Sequence, residues 1–175
     1  MIALPRSQRG VSLAEMFVTV AILIVLAGAL AVPAFRAYGQ SRAAHDAAVA
    51  LAEDIALTER AAQVDPQRGG ASLIIESTAP LRYRCYLGRP TEIDPRSQLG
   101  TVIVARARDD ASLVGGPIDP STPLLFASNG SAQYVTGGTV ASQHQTITLT
   151  VAAREDPSRT ATVQLDLFSG AVVAR

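Results

Sequence analysis

The sequence predicts an α+β chain in which one long N-terminal helix packs on an antiparallel β-sheet or sandwich. Two observations predict the helix: an uncharged apolar segment, Met16 to Phe35, and an Ala-rich polar segment that extends to Gln63 with a single glycine. A third observation predicts the sheet. Beyond Gly70 the pattern changes to short runs of β-branched and aromatic residues, separated by Gly, Pro, Asn and Asp.

The apolar segment is long enough to cross a membrane as a helix, which requires about 20 residues. It follows ten residues, Met1 to Gly10, that carry Arg6 and Arg9 and no acidic residue. Because basic residues favour the cytoplasmic side, this pattern predicts a cytoplasmic N-terminus and an exported remainder.

Glu15 lies at the edge of this apolar segment, where an ionisable group costs at least ~2.5 kcal/mol if it enters hydrocarbon. A secretory signal carries its small-residue cleavage site after the apolar core. In this chain the small residue, Gly10, comes before the core. The pattern is therefore not that of an ordinary secretory signal.

The run Arg9-Gly10, Val11 and Glu15 resembles the prepilins of the type IV pilin and type II secretion pseudopilin superfamily. The resemblance implies that a prepilin peptidase cleaves between Gly10 and Val11 and methylates the new amine of Val11. It also implies that Glu15 pairs with the N-terminal amine of a neighbouring subunit during assembly. A simple signal anchor with an incidental acidic residue is the alternative.

The second half of the predicted helix has an apolar stripe at helical spacing that would lie on a soluble core. The stripe consists of Ala48, Leu51, Ala52, Ile55 and Ala62. Polar residues are expected mostly at the sides of this stripe: Glu53, Asp54, Glu59 and Arg60. Asp65-Pro66 and Gly69-Gly70 are expected to end the helix. Gly28 and Pro33 lie within it, and we expect a bend or local melting there.

Six runs are predicted as strands: Ser72 to Glu76, Leu81 to Leu87, Thr101 to Ala105, Pro123 to Phe126, Thr146 to Val151 and Thr160 to Phe168. The last two alternate apolar and polar residues, which would place Ile147, Leu149 and Val151, and likewise Val163, Leu165 and Leu167, toward the core. We expect these two strands to form a hairpin across Arg154 to Ser158.

The C-terminal part is similar to the GspH/FimT branch of the same superfamily. The motifs that carry this similarity are Leu125 to Ala132, Thr146 to Leu149, Ala161 to Leu165 and Ser169 to Val172. Asn129-Gly130 and Ser169-Gly170 are also typical of tight hairpin turns. The expected organisation is a leader peptide at 1–10, a transmembrane and filament-core segment at 11–38, and a periplasmic pilin-like domain at 39–175.

Composition bounds the remaining possibilities. The 175 residues carry 15 basic and 15 acidic side chains, and removal of Arg6 and Arg9 would leave 13 basic residues against 15 acidic ones. No strongly charged partner is implied. Cys85 is the single cysteine, so an intramolecular disulfide is impossible, and a small strand residue is a better interpretation than a nucleophile.

The sequence contains little that indicates catalysis or a metal site. His45 and His144 lack ligand-spaced neighbours and are expected to face solvent. Asp109-Asp110 with Asp119 could suggest calcium, but the spacing does not reproduce a calcium loop, and a turn with solvated carboxylates is favoured. We expect no enzymatic activity, no cofactor and no metal.

DNA capture by an uptake pilin is the alternative function. The resemblance places the DNA-binding stretch of some FimT-type minor pilins, Gly-Arg-x-Arg, where this chain has Gly170-Ala171-Val172-Val173. Loss of both arginines removes phosphate contacts. Other basic patches are conceivable, but solvated sheet faces are the better interpretation. Those patches would consist of Arg82, Arg84 and Arg89, or of Arg106 and Arg108.

The resemblance implies a minor pseudopilin or minor pilin, a structural subunit of a type II secretion pseudopilus or a type IV pilus. The expected location is the bacterial inner membrane, crossed once, with the C-terminal domain in the periplasm. The implied partners are prepilin peptidase, other pilins or pseudopilins, the inner-membrane assembly platform and its cytoplasmic ATPase. Binding to nucleic acid is not expected.

Overall fold

A computed structural model describes residues 13–88, 100–136, 139–140 and 145–175, and it confirms the α+β prediction. One long helix, α1 (Leu13–Val64), is followed by a 3₁₀ turn at Pro66–Arg68 and by antiparallel strands. The described strands are β1 (Ala71–Thr78), β2 (Leu81–Leu87), β3 (Val102–Arg108), β4 (Ala111–Gly115), β5 (Leu124–Phe126), β6 (Ala132–Thr136), β7 (Thr139–Val140), β8 (Thr146–Ala153), β9 (Thr160–Asp166) and β10 (Val172–Ala174). The chain divides after Tyr38 into two compact units.

The helix α1 passes through Gly28 and Pro33 without interruption. Of the two expectations, a bend or local melting, the melting is therefore wrong, and the bend stays a prediction. Proline lacks an N–H group, so its presence removes the helical hydrogen bond to the carbonyl of Ala29. The surrounding Ala and Leu residues have high helix propensity, and the remaining backbone bonds keep the segment helical on both sides of Pro33.

The second half of α1 buries the predicted stripe. Ala48, Leu51, Ile55 and Ala62 are fully buried, and Ala52 is nearly so. The helix ends before Asp65-Pro66, as expected, because the residue before a proline avoids helical angles. The prediction was wrong for one residue: Asp54, expected at the side of the stripe, is buried within it.

The strands form two sheets. One has six strands in the order β3-β2-β1-β5-β6-β7, and the other has four in the order β10-β9-β8-β4. Among the described strands the chain changes sheets three times: between β3 and β4, between β4 and β5, and between β7 and β8. Every described strand pair is antiparallel.

The predicted hairpin of β8 and β9 is confirmed. Its register places Leu149 opposite Val163 and Thr150 opposite Thr162, so apolar and polar rows alternate across the pair. The apolar rows are buried, as predicted. In the connecting turn, Asp156 accepts hydrogen bonds from the backbone and the hydroxyl of Ser158, which fixes the turn.

A single apolar core joins the second half of α1 to both sheets. Tyr83 and Phe126 are its largest fully buried side chains. Four described strands were not predicted: β4, β6, β7 and β10. They are two to five residues long, too short for alternation to be distinguished from chance, and neighbouring strands rather than local propensity hold them in place.

The two predicted tight turns pack against the end of α1. Gly130 and Gly170 both have left-handed backbone angles, with φ of +85° and +72°. A Cβ atom on Gly170 would lie 2.5 Å from the carboxyl carbon of Glu59, and one on Gly130 would lie 2.8 Å from the Gln63 amide nitrogen. Glycine is required at both turns for its conformation, and at Gly170 also for its size, because a Cβ there would lie 2.5 Å from the backbone oxygen of Gly130.

Candidate functional site

The first half of α1 presents apolar side chains on all sides. Every residue from Leu13 to Leu30 is exposed. The helix is long and apolar enough to cross a membrane, and this property is established by length and composition. A helix that is apolar around its whole circumference requires an apolar environment such as lipid or other helices.

Glu15 is the acidic residue of this segment and lies in the first turn of the described helix. The partial positive charge of a helix N-terminus stabilises a carboxylate at that position. The hydroxyl of Thr19 donates to the backbone carbonyl of Glu15 at 2.8 Å. The predicted cleavage and methylation residues, Gly10 and Val11, lie outside the described residues.

Sequence reasoning missed a buried polar cluster around Asp54. The Tyr83 hydroxyl donates to Asp54 Oδ2 at 2.9 Å. The Arg106 guanidinium donates Nε to the same oxygen at 2.9 Å and a terminal nitrogen to Oδ1 at 3.3 Å. Asp54 lies on α1, Tyr83 on β2 and Arg106 on the outer strand β3, so the cluster joins three elements.

Two members of this cluster, Tyr83 and Arg106, have raised pKa values. Burial, followed by the nearby Asp54 carboxylate, raises the pKa of Tyr83, so the phenol keeps its proton and donates it. The hydrogen bond and the charge of Asp54 raise the pKa of Arg106. A buried carboxylate is stabilised when an opposite charge and hydrogen bonds surround it. The arrangement is suited to holding β3 against the helix.

Cys85 is fully buried in β2, which confirms its interpretation as a strand residue. Its sulfur lies 3.9 Å from the Asp54 carbonyl oxygen. Burial raises the pKa of the thiol to about 11, so it is protonated at neutral pH and a poor nucleophile. His45 is exposed, as predicted, and His144 lies outside the described residues.

The three aspartates that raised the question of calcium have protein partners. Asp109 lies 3.6 Å from Arg82, and Asp110 lies 3.3 Å from Arg108. Asp119 accepts the hydroxyl and the backbone N–H of Ser121, which together lower the pKa of its carboxyl. No group of three or more His, Cys, Asp or Glu residues that could hold a metal occurs among the described residues.

The arginines of β2 and β3 lie on opposite sheet faces. The register places Tyr83 opposite Arg106, so Arg106 shares the core-facing side. Arg82 and Arg84 alternate with Tyr83 and point to the other side, and Arg89 lies outside the described residues. Each described arginine of these strands has an acidic partner: Asp109 for Arg82, Glu76 for Arg84, Asp54 for Arg106 and Asp110 for Arg108. This geometry does not favour a joint phosphate-binding patch.

Comparisons with known proteins give no family assignment. No protein-family model matches the chain, and no curated protein or solved structure shows significant similarity to it.

Proposed function

We propose that this chain is a minor pseudopilin or minor pilin, a structural subunit of a type II secretion pseudopilus or a type IV pilus. The observation that carries the proposal is the first half of α1, a membrane-length helix with its apolar surface fully exposed and a carboxylate in its first turn. The α+β unit that follows is compatible with a pilin-like fold.

The energetics of the apolar half favour membrane insertion, and they permit later assembly with other helices without a further hydrophobic gain, because lipid is as apolar as the helix surface. Burying one large apolar side chain stabilises by roughly 1.5–3 kcal/mol. The exposed side chains include Phe17, Ile24 and Leu30. Transfer of such a helix from lipid to a filament core keeps these side chains in apolar surroundings, so it requires no exposure to water.

In this proposal Glu15 directs the register between neighbouring subunits. A carboxylate in apolar surroundings is stabilised by an opposite charge. Cleavage after Gly10 would create an amine on Val11, four residues before Glu15, and this amine on one subunit is a suitable partner for Glu15 of the next. The subunit would be held in the inner membrane before assembly, with residues 39–175 in the periplasm.

Processing is tested by mass spectrometry of the chain expressed with and without an active prepilin peptidase. The expected product lacks residues 1–10 and carries one added methyl group on Val11. Gly10→Val should block cleavage. The matched control is Gly28→Ala, which adds a methyl group where no atom lies within 4 Å. Persistence of residues 1–10 on the wild-type chain with active peptidase would contradict the proposal.

Assembly is tested separately with Glu15→Gln. We expect the variant to be processed and inserted in the membrane but to be lost from filaments sheared from cells that contain the companion pilins. Glu53→Gln removes an exposed carboxylate from the same helix and serves as the matched control. If the two variants enter filaments equally, the signal-anchor alternative accounts for Glu15 better.

A further inference from the structure

We propose that the outer edge of β10 pairs with β10 of a second copy of this chain and so joins two four-stranded sheets into one. The proposal goes beyond a role as a membrane-anchored filament subunit and does not depend on it. It rests on the position of β10 at the end of its sheet and on the direction of its backbone groups. It also rests on the side chains that face each other when two copies of β10 pair in antiparallel orientation.

The hydrogen-bond pattern shows which backbone groups of β10 face outward. Arg175 and Thr162 exchange two backbone N–H to carbonyl hydrogen bonds of 2.8 Å, and the backbone N–H of Asp166 donates to the carbonyl of Ala171. Residues on an antiparallel strand alternate in direction. Val172 and Ala174 therefore direct their N–H and carbonyl groups away from β9, toward the open edge.

The edge of β10 also differs from the other described sheet edges. The edge strand β3 carries a register shift and an inward arginine, β4 carries a register shift at Gly115, and β7 has two residues. Such features block pairing with other chains. The ladder from Ala171 to Arg175 continues over five residues without a shift, and Val173 is 51% exposed.

An antiparallel pair of two β10 strands centred on Val173 gives hydrogen-bond partners to the outward backbone groups of Val172 and Ala174. Val172 then lies opposite Ala174 of the second copy and exchanges two backbone hydrogen bonds with it, and the symmetric pair supplies two more. The two exposed Val173 side chains meet at the two-fold axis. Arg175 lies opposite Ala171 of the second copy, so no like charges face each other.

Charge complementarity supports the same register. Asp166 lies beside Ala171 on β9 and points to the same sheet face. In the pair, Arg175 faces the small Ala171 of the second copy, with Asp166 of that copy one strand farther, about 10 Å away at two strand spacings. The arginine side chain can cross the alanine and approach the Asp166 carboxylate, whose Oδ1 already accepts the backbone N–H groups of Phe168 and Ser169 in the turn before β10. Two such contacts are related by the symmetry.

Disulfide trapping in membranes tests the register with the full chain. In a non-hydrogen-bonded antiparallel pair the two Cα atoms lie about 4.5 Å apart, within the range of a disulfide. Val173→Cys should therefore give a disulfide-linked dimer with copper phenanthroline as oxidant. Ala171→Cys and Arg175→Cys alone should stay monomeric, but a mixture of these two variants should cross-link. The wild type, with its buried Cys85, sets the background.

In a dimer of the Val173→Lys variant two ammonium groups would lie opposite each other. A chemical cross-linker that traps the wild-type chain as a dimer should therefore give no dimer with this variant. Thr148→Lys adds the same charge to an exposed position of β8 on the same sheet and should leave the dimer intact. The proposal is overturned if Val173→Cys yields no more dimer than Ala171→Cys, since no fixed register then exists. Protection of Val173→Cys from thiol reagents without dimer formation also overturns it, because another partner would then cover the edge.

Discussion

The two halves of α1 share one backbone structure and differ in what their side chains contact. From Leu13 to Leu30 every residue is exposed, although almost all are apolar. Between Ala44 and Ala62 a narrow stripe is buried against the two sheets, and polar residues occupy most of the remaining surface. Helix formation is therefore common to both halves, and the difference in their contacts follows from how much of the helix circumference is apolar.

The largest expected effect is on the buried stripe. Leu51→Ala should lower the free energy of unfolding by about 2–5 kcal/mol, since it opens a cavity under a fully buried side chain. Leu57→Ala, on the exposed side of the same helix, should change it by less than about 0.5 kcal/mol. Urea unfolding of the full chain in detergent measures both. Equal losses would contradict the assignment of the core face.

The next effect separates the two halves directly. Leu23→Arg places a charge in the middle of the apolar half and should cost about 2.5–3.5 kcal/mol in membrane insertion. Leu57→Arg makes the same exchange in the second half and should have no effect on insertion. The measurement is the fraction of chain that resists extraction from membranes by alkaline carbonate. Equal extraction of the two variants would argue against a membrane role for the first half.

A smaller effect is expected at the polar cluster. Tyr83→Phe removes a hydrogen bond to the buried Asp54 carboxylate and should destabilise by about 1.5–3 kcal/mol. Arg106 still pairs with Asp54, which limits the loss. Tyr38→Phe removes the hydroxyl from an exposed tyrosine and should be neutral in urea unfolding. A neutral Tyr83→Phe would show that Arg106 alone satisfies Asp54.

The smallest effect is a pH dependence at Glu59. Burial raises its pKa above the ordinary 4.5, against the weaker opposing effects of Gln63 and Arg60. The folded state then binds the proton more tightly than the unfolded chain, so the contribution of Glu59 to stability falls as the pH rises through the raised pKa. Glu59→Gln should be more stable than wild type at pH 7, and the advantage should disappear below about pH 4.

Urea midpoints of both proteins across this pH range test the prediction for Glu59. Glu53→Gln, which removes an exposed carboxylate from the same helix, controls for the loss of one charge. An advantage of Glu59→Gln that is constant with pH would show that packing against Gly170, rather than ionisation, determines the effect.

Long periodic patterns were the part of the fold that could be predicted. The stripe around Leu51 and Ile55 and the alternation in β8 and β9 each repeat several times, so their buried faces follow from the sequence. Asp54 could not be predicted in the same way. An aspartate in a helix is expected on the solvent-exposed face. Burial of Asp54 is favourable because Tyr83 of β2 donates a hydrogen bond to its carboxylate and Arg106 of β3 forms an ion pair with it. No local signal marks a partner 52 residues away.

The sequence by itself determined the long helix, its membrane-length apolar half and the antiparallel character of the sheets, because helix propensity, hydropathy and alternation are properties of neighbouring residues. Only the tertiary structure decided which strands share a sheet, that the arginines of β2 and β3 lie on opposite faces, and that β10 is the last of the described strands in its sheet. These features depend on register and strand order, which arise when segments distant in sequence bury a common core.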